Sequence, residues 1–372
     1  MDFEFSSEQE QLRASVRRYL ADRAPIVGYV REHYGTAVGA DAVWRGLAAL
    51  GVVGLLAPEE HGGAGMGLVD AAVVLEECGR AVYPGPYLAS AIGAISLVDV
   101  IGNASDRAAL LPALADGSQV ATLAAFEPGR RTDWSTPATT ATPSTTGDPR
   151  ISGTKVHVLD AAVADLFLVV AAGPSGEIGA YACRRGPTVT VTDSPGIDGA
   201  RTTGTVTFDD APATRLGHDT GAAEAGITAT LDRMSTALVV DAVGAAARAL
   251  ELAVDYAKTR IAFDRPIGSF QAVQHLCADM LRALELARAA GYYACWALDA
   301  AEPAEGRRAA MMAAAFAAEE LPRLGATAIQ VFGGVGFTWE HDIHLYYKRL
   351  VTAGALLGTA DDHLAALADL VL

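Results

Sequence analysis

Near Ser118 the chain changes character, and that change limits the folds open to it. Before it lie alanine- and leucine-rich stretches whose apolar residues recur at helical spacing. From Gln119 to about Leu216 the chain is rich in Thr, Val, Gly and Pro. There the short apolar runs VATLAAF, KVHVL, LFLVVAA, TVTVT and TVTFD read as strands. From Ala222 onward helical spacing returns. The pattern predicts a mostly α chain with a small central β-domain: an N-terminal helical domain over 1–118, a β-domain over 119–218 and a C-terminal helical bundle over 219–372. With 372 residues, each can have its own core.

Within the first domain, Ser7–Asp22 reads as an amphipathic helix with Ser7 and Glu10 as its capping box and Leu12, Val16, Tyr19 and Leu20 on one face. Further helices are expected at Asp41–Leu50, Leu68–Arg80, Ala89–Ile101 and Ser105–Ala115. The glycine-rich loop at Pro58–Gly67 has no Gly-Lys-Ser/Thr ending and no βαβ setting, so it reads as a connection, not a phosphate cradle. The low-complexity stretch Ser135–Pro149 reads as a mobile surface loop. In the last domain, Leu238–Tyr256, a segment spaced by Phe270, Val273, Cys277, Met280, Leu284 and Ala287, then Met311–Phe332 and Ala360–Leu372 are helix candidates. Helices apolar on several faces bury against more than one neighbour, as in a four-helix bundle at the centre of an oligomer.

A net charge of −16 argues against nucleic acid as a partner, because phosphate neutralisation needs clustered Lys and Arg. The four cysteines, Cys78, Cys183, Cys277 and Cys295, lack metal-ligand spacing and read as reduced core residues; no metal site is expected. No apolar run is long enough to imply a membrane span, and the acidic start MDFEFSSEQEQL does not resemble a signal peptide. A cytoplasmic location is the expectation.

Two stretches carry binding chemistry. RIAFDRPIGSFQAVQ places Arg260, Phe263, Gln271 and Gln274 within a short reach. A guanidinium suits a diphosphate, and a phenyl face suits an adenine. Alone, the stretch reads equally as a helical corner with a surface Arg and a core Phe. The second stretch, QVFGGVGFTWEHDIHLYYKRL, begins at Gln330 and holds Gly333 and Gly334, which allow close backbone approach.

Together, in this order, the two stretches resemble the C-terminal helical domain of the acyl-CoA dehydrogenases, most closely an actinobacterial branch. The resemblance covers nearly the whole chain. It implies that Arg260, Phe263, Gln271, Gln330, Gly333 and Gly334 hold the ADP half of an FAD belonging to a neighbouring subunit. It also implies α,β-desaturation of an acyl-CoA thioester, in which a carboxylate removes the α-proton and the flavin accepts a hydride. The usual base positions are Leu357, in Leu356-Leu357-Gly358-Thr359, and Met234, and neither side chain can accept a proton. Asp361, Asp362, Asp232 and Asp241 are the nearby carboxylates; the first pair reads better as helix-terminal charge. Asp241, among Val239, Val240 and Val243, is expected to be buried with a partner or in a site.

The family's own-flavin motifs are altered as well. Thr-Glu-Pro appears as Phe126-Glu127-Pro128, Gly-x-Gly-Ser-Asp as Gly129-Arg130-Arg131-Thr132-Asp133, and Trp-x-Thr-Asn as His157-Val158-Leu159-Asp160. His157 reads as a surface or strand-packing histidine. The residues for a neighbour's FAD are intact while those for the chain's own flavin and base are gone. The resemblance therefore implies the base-less subunit of an α2β2 heterotetramer, with a second acyl-CoA dehydrogenase-like subunit, of the kind that acts on steroid side-chain CoA thioesters in lipid metabolism. Alternatives are a homotetramer with a relocated base, an inert scaffold subunit, and a related flavin enzyme that does not use CoA.

Overall fold

The computed structural model describes residues 5–130, 132–144, 147–217 and 220–371. In chain order the helices are α1 (Ser7–Arg23), α2 (Ala42–Ala49), α3 (Leu68–Arg80), α4 (Ile95–Ile101) and α5 (Ala104–Ala115). The strands β1 (Ala121–Ala124), β2 (Thr140–Thr142), β3 (Arg150–Leu159), β4 (Leu166–Ala172), β5 (Ile178–Arg184), β6 (Val189–Ser194) and β7 (Thr203–Arg215) follow. Then come α6 (Thr220–Thr259), the short strands β8 (Ile261–Ala262) and β9 (Arg265–Pro266), α7 (Gln271–Ala300), α8 (Pro303–Phe332), α9 (Ile343–Ala353) and α10 (Ala360–Val371). This is the helical, β and helical order that the sequence pattern predicts.

Two compact units form, one from residues 1–32, 72–83 and 235–372, the other from 33–71 and 84–234. In the second, Asp41 caps α2 by accepting from the Trp44 N–H at 2.8 Å, and the buried Trp44 indole donates to the Gly117 carbonyl at 2.9 Å. Its sheet runs β1-β4-β2-β3-β7-β5, with β6 on β7, and an additional β4–β5 pairing closes the path on itself. Phe167 and Phe208 meet edge to face at 5.9 Å inside it, with Ile151, Val169, Val206 and Tyr181 around them. Their alternation with exposed Thr along β6 and β7 is the period-2 pattern that marks these strands in the sequence.

Within the first unit, α7 packs on α8, and α8 on α9 and α10. Glycines permit the tightest crossings: a Cβ on Gly79 of α3 would lie 1.8 Å from the Asp241 carbonyl of α6. Alanines fill the α7–α8 seam, where Ala294, Ala297, Ala309 and Ala313 are all buried.

Local differences from expectation have simple causes. The α1 capping box is Ser6 with Gln9, not Ser7 with Glu10; the spacing is the same, and the amide serves as well as a carboxylate. Residues 89–94, expected as the start of a regular helix, belong to a π-helical stretch over Tyr87–Ala94, buried throughout. The Ser135–Pro149 loop contains β2, which pairs with β3 through Thr140–Ser152; its residues 145 and 146 lie outside the described residues. Among the described residues no helix is long and apolar enough to cross a membrane, and no cluster of His, Cys, Asp and Glu is arranged to hold a metal.

Candidate functional site

The two binding stretches meet at one end of the first unit. Helix α6 ends at Thr259, and α8 ends at Phe332. Tyr256, in the last turn of α6, stacks on Phe332 with ring centroids 4.4 Å apart, which brings Arg260 and the Gln330–Gly334 turn to the same end. Gly333 ends α8 with φ 65° and ψ −144°, a backbone conformation that essentially requires glycine. A Cβ at Gly333 or Gly334 would meet nothing within 4 Å, so this backbone is open on its outer side.

Between α6 and α7 the chain turns through a two-residue hairpin, β8–β9, with Ile261 opposite Pro266 and Ala262 opposite Arg265. Its two turn residues, Phe263 and Asp264, have φ 52° and 61°. A tight hairpin turn of this hand favours Asn-Gly, so a phenylalanine is held here against its conformational preference. It is also 88% exposed. The ring sits edge-on to Phe270 at 6.1 Å, and Arg265 covers the Phe270 face at 4.0 Å. Arg260, Gln271, Gln330, Gly333 and Gly334 are exposed too. Gln274 donates its amide to the Gly268 carbonyl at 2.9 Å and braces the loop.

The structure places the carboxylates as follows. Asp241 is buried and paired with buried Arg349, accepting from Nε and Nη2 at 2.9 and 3.0 Å. Asp362 accepts from the Thr359 N–H and hydroxyl at 2.9 and 2.8 Å and so serves the start of α10. Asp361 is exposed beside it, and Asp232 is buried in the second unit. Leu357 lines a cavity of about 20 Å³, room for about one water, with Ser235, Leu238, Val239 and His363. No carboxylate is among its described lining residues. Burial pulls the His363 imidazole below its ordinary range, against the raising effects of Asp362 and of a hydrogen bond to Gly358. Met234 is buried in the second unit, where its sulfur would lie 2.8 Å from a Cβ on Gly93.

Glu127 and Lys155, 4% and 0% exposed, form an ion pair at 2.8 Å, and the lysine also donates to the Ala125 carbonyl at 3.1 Å. Burial alone would raise the Glu127 carboxyl, but hydrogen bonds from Lys155 and from the Ala138 and Thr139 N–H groups outweigh it and hold it at about 2. Burial brings Lys155 down to about 8, against the pull of Glu127. A carboxyl lowered on folding stabilises the chain fully above its unfolded value, here about 4.5, and loses that contribution as pH falls towards 2. Acid unfolding should therefore be less steep between pH 4.5 and 2 in Glu127→Gln than in the natural chain, whatever the variant's stability at pH 7. Phe126 is buried, and His157 is exposed at an irregularity in the β3–β7 register with φ 54°. Arg131 lies outside the described residues.

The sequence singles out the two stretches that the structure brings to one end, but it does not indicate Arg349 as the partner of Asp241, 108 positions away. Nor does it single out His341 and His344, beside Asp342, which Arg31 from the start of the chain bonds.

The model of the acyl-CoA dehydrogenase N-terminal domain matches residues 6–118, and that of the acyl-CoA dehydrogenase C-terminal domain matches residues 225–372. This chain belongs to the acyl-CoA dehydrogenase family, oxidoreductases that act on acyl-CoA. It is 33% identical over 366 residues to the acyl-CoA dehydrogenase IpdE2 of Mycolicibacterium smegmatis, covering 97% of this chain and 98% of that protein. It is similar in structure to a variant of the Tcur3481–Tcur3483 steroid ACAD, with 32% identity and a TM-score of 0.87 over 98% of this chain and 97% of that one. The ChsE4–ChsE5 complex from Mycobacterium tuberculosis contains another similar chain, with 26% identity and a TM-score of 0.88 over 99% and 98% of the two chains.

Proposed function

We propose that this chain is the base-less subunit of a heteromeric, FAD-dependent acyl-CoA dehydrogenase, in which it clamps the ADP half of a flavin whose ring and catalytic base belong to an unlike subunit. Its own domains are the helical 1–118, the β-domain 119–218 and the bundle 219–372. The observation that carries the reading is the exposure, at one end of one unit, of all six residues that the family resemblance assigns to a neighbour's cofactor. Side chains meant for the chain's own interior would not stand in solvent together.

The donor set fits the group. Arg260 offers a guanidinium to a diphosphate, Gln271 and Gln330 offer amides, and Phe263 offers a ring face to a purine. The bare backbone of Gly333 and Gly334 leaves room for close approach. The chemistry drawn from FAD is acceptance of a hydride from the β carbon of the thioester. The α-proton must go to a base, and Leu357 and Met234 cannot take it. Asp241 is committed to Arg349, and Asp362 to the start of α10, which disfavours a self-sufficient homotetramer. Steroid-type acyl thioesters are the proposed substrate class, supported by the similarity to the Tcur3481–Tcur3483 steroid ACAD. Two similar structures pair two differently named chains, which supports an unlike partner.

Phe263→Gly separates fold from function. Glycine accepts φ 52° freely, so the chain alone should gain about 1 kcal/mol, read by urea unfolding. In the assembled pair the same change should weaken flavin retention roughly tenfold, the loss of one stacked ring. Unchanged retention would remove Phe263 from the cofactor site.

A further inference from the structure

The turn that follows Gly333–Gly334 is held by two histidines that must both be neutral. His341 Nδ1 accepts the N–H of Ile343 at 3.1 Å, satisfying one of the free donors at the start of α9. Its ring lies 4.2 Å from Phe332, the same ring that stacks on Tyr256. His344, in the first turn of α9, is 5% exposed and packs edge-on to Trp339 at 4.7 Å. Neither of its ring nitrogens has a hydrogen-bond partner among the described residues.

The charges that face this pair are mostly positive. Lys348 comes from α9 itself and lies 4.8 Å from the Trp339 ring centre. Arg31, from the segment after α1, lies over the Trp339 ring at 5.8 Å from its centre and donates to the Trp339 carbonyl at 2.6 Å. Asp342 is the carboxylate that faces them, and Arg31 already bonds its Oδ1 through Nε and Nη2 at 3.1 and 2.6 Å. A proton on His341 Nδ1 would abolish the Ile343 hydrogen bond and set a cation at the positive end of a helix. A proton on His344 would bury a cation with no acceptor, facing Arg31 and Lys348.

We propose that His341 and His344 form a proton-operated latch on the Gly333–Gly334 turn, closed when both rings are neutral and opened by mild acid, so that the cofactor clamp releases. The release rests on the clamp reading above; the latch itself does not. Burial brings both imidazoles below their ordinary value, with Arg31 lowering and Asp342 raising each, and in His344 the shift reaches about 4. Groups lowered in the closed form are protonated first in the open form. The latch is therefore fully closed above about pH 6.5 and weakens as pH falls towards 4.

The test uses hydrogen exchange of residues 333–345 in the full chain at pH 7.5 and 5.5, corrected for intrinsic rates, and flavin release from the assembled pair at the same two values. The natural chain should open roughly tenfold more at pH 5.5, since each unit of linked shift is a factor of ten. His341→Asn with His344→Leu should remove that pH response, because Asn keeps an acceptor for Ile343 and Leu needs none. His341→Asn alone should remove part of it, and it remains readable if the double variant folds poorly. Equal pH responses in the natural chain and both variants would overturn the latch. Opening in the chain alone, with no flavin in the pair even at pH 7.5, would leave the latch standing and overturn the clamp.

Discussion

Asp241→Asn should destabilise the chain by about 3–5 kcal/mol, the effect of leaving a buried charge without its counterpart. Asp241 and Arg349 are each 2% exposed, and they share two hydrogen bonds at 2.9 and 3.0 Å. Arg349 Nη2 also donates to the Tyr83 carbonyl at 3.0 Å, so the guanidinium cannot swing to solvent without giving up a third bond. Space cannot relax around the pair either, because the Asp241 backbone lies against Gly79 of α3. Replacing both residues, as Asp241→Leu with Arg349→Met, should recover most of the loss, since two apolar groups of similar volume need no mutual compensation. Urea unfolding of the single and double variants measures both. The result bears directly on chemistry. A stable, well-folded Asp241→Asn chain that lost turnover would reinstate Asp241 as a relocated base and remove the need for an unlike partner.

Gly333→Ala should reduce flavin affinity in the assembled pair by roughly a hundredfold. Two effects add. The φ of 65° with ψ −144° costs a non-glycine residue about 1–3 kcal/mol, so the turn shifts or the end of α8 frays. The added methyl also projects into the open side of the turn, where nothing of this chain lies within 4 Å. At about 1.4 kcal/mol for each tenfold, the two together reach two decades. Gly334→Ala separates the effects: its backbone is not in the left-handed region, so stability should hold while affinity falls. Thermal unfolding of the chain alone, set beside flavin titration of the pair, distinguishes strain from occupancy. If Gly334→Ala leaves affinity intact, the turn does not face the cofactor.

Much of this molecule was legible because its signals are local. The buried stripe of α1, the continuous apolar run of β4 and the alternation in β6 follow from short-range patterns that the structure keeps. The family was legible from two motifs whose order and spacing are specific. Other features depend on contacts far apart in the chain. β2 is three residues in a Ser/Thr/Pro-rich stretch, and only pairing with β3 and β4 makes it a strand. β5, with sequence IGAYACR, carries small residues that give a weak strand signal; the flanking β4 and β7 supply its order. The burial of Asp241 was inferable from its valine neighbours, but Arg349 was not. The hairpin at Phe263 runs against turn preference, with positive φ at Phe263 and Asp264, so local turn rules do not anticipate it.

The central claim is that this chain completes a cofactor site it cannot build alone. The most direct test is FAD content per chain, by absorbance, for the protein purified by itself and after co-expression with a second acyl-CoA dehydrogenase chain that carries the base glutamate. The account predicts little flavin in the first preparation, and one flavin per pair of unlike chains in the second, with desaturation of the acyl-CoA only there. One flavin per chain in the protein purified alone would contradict it.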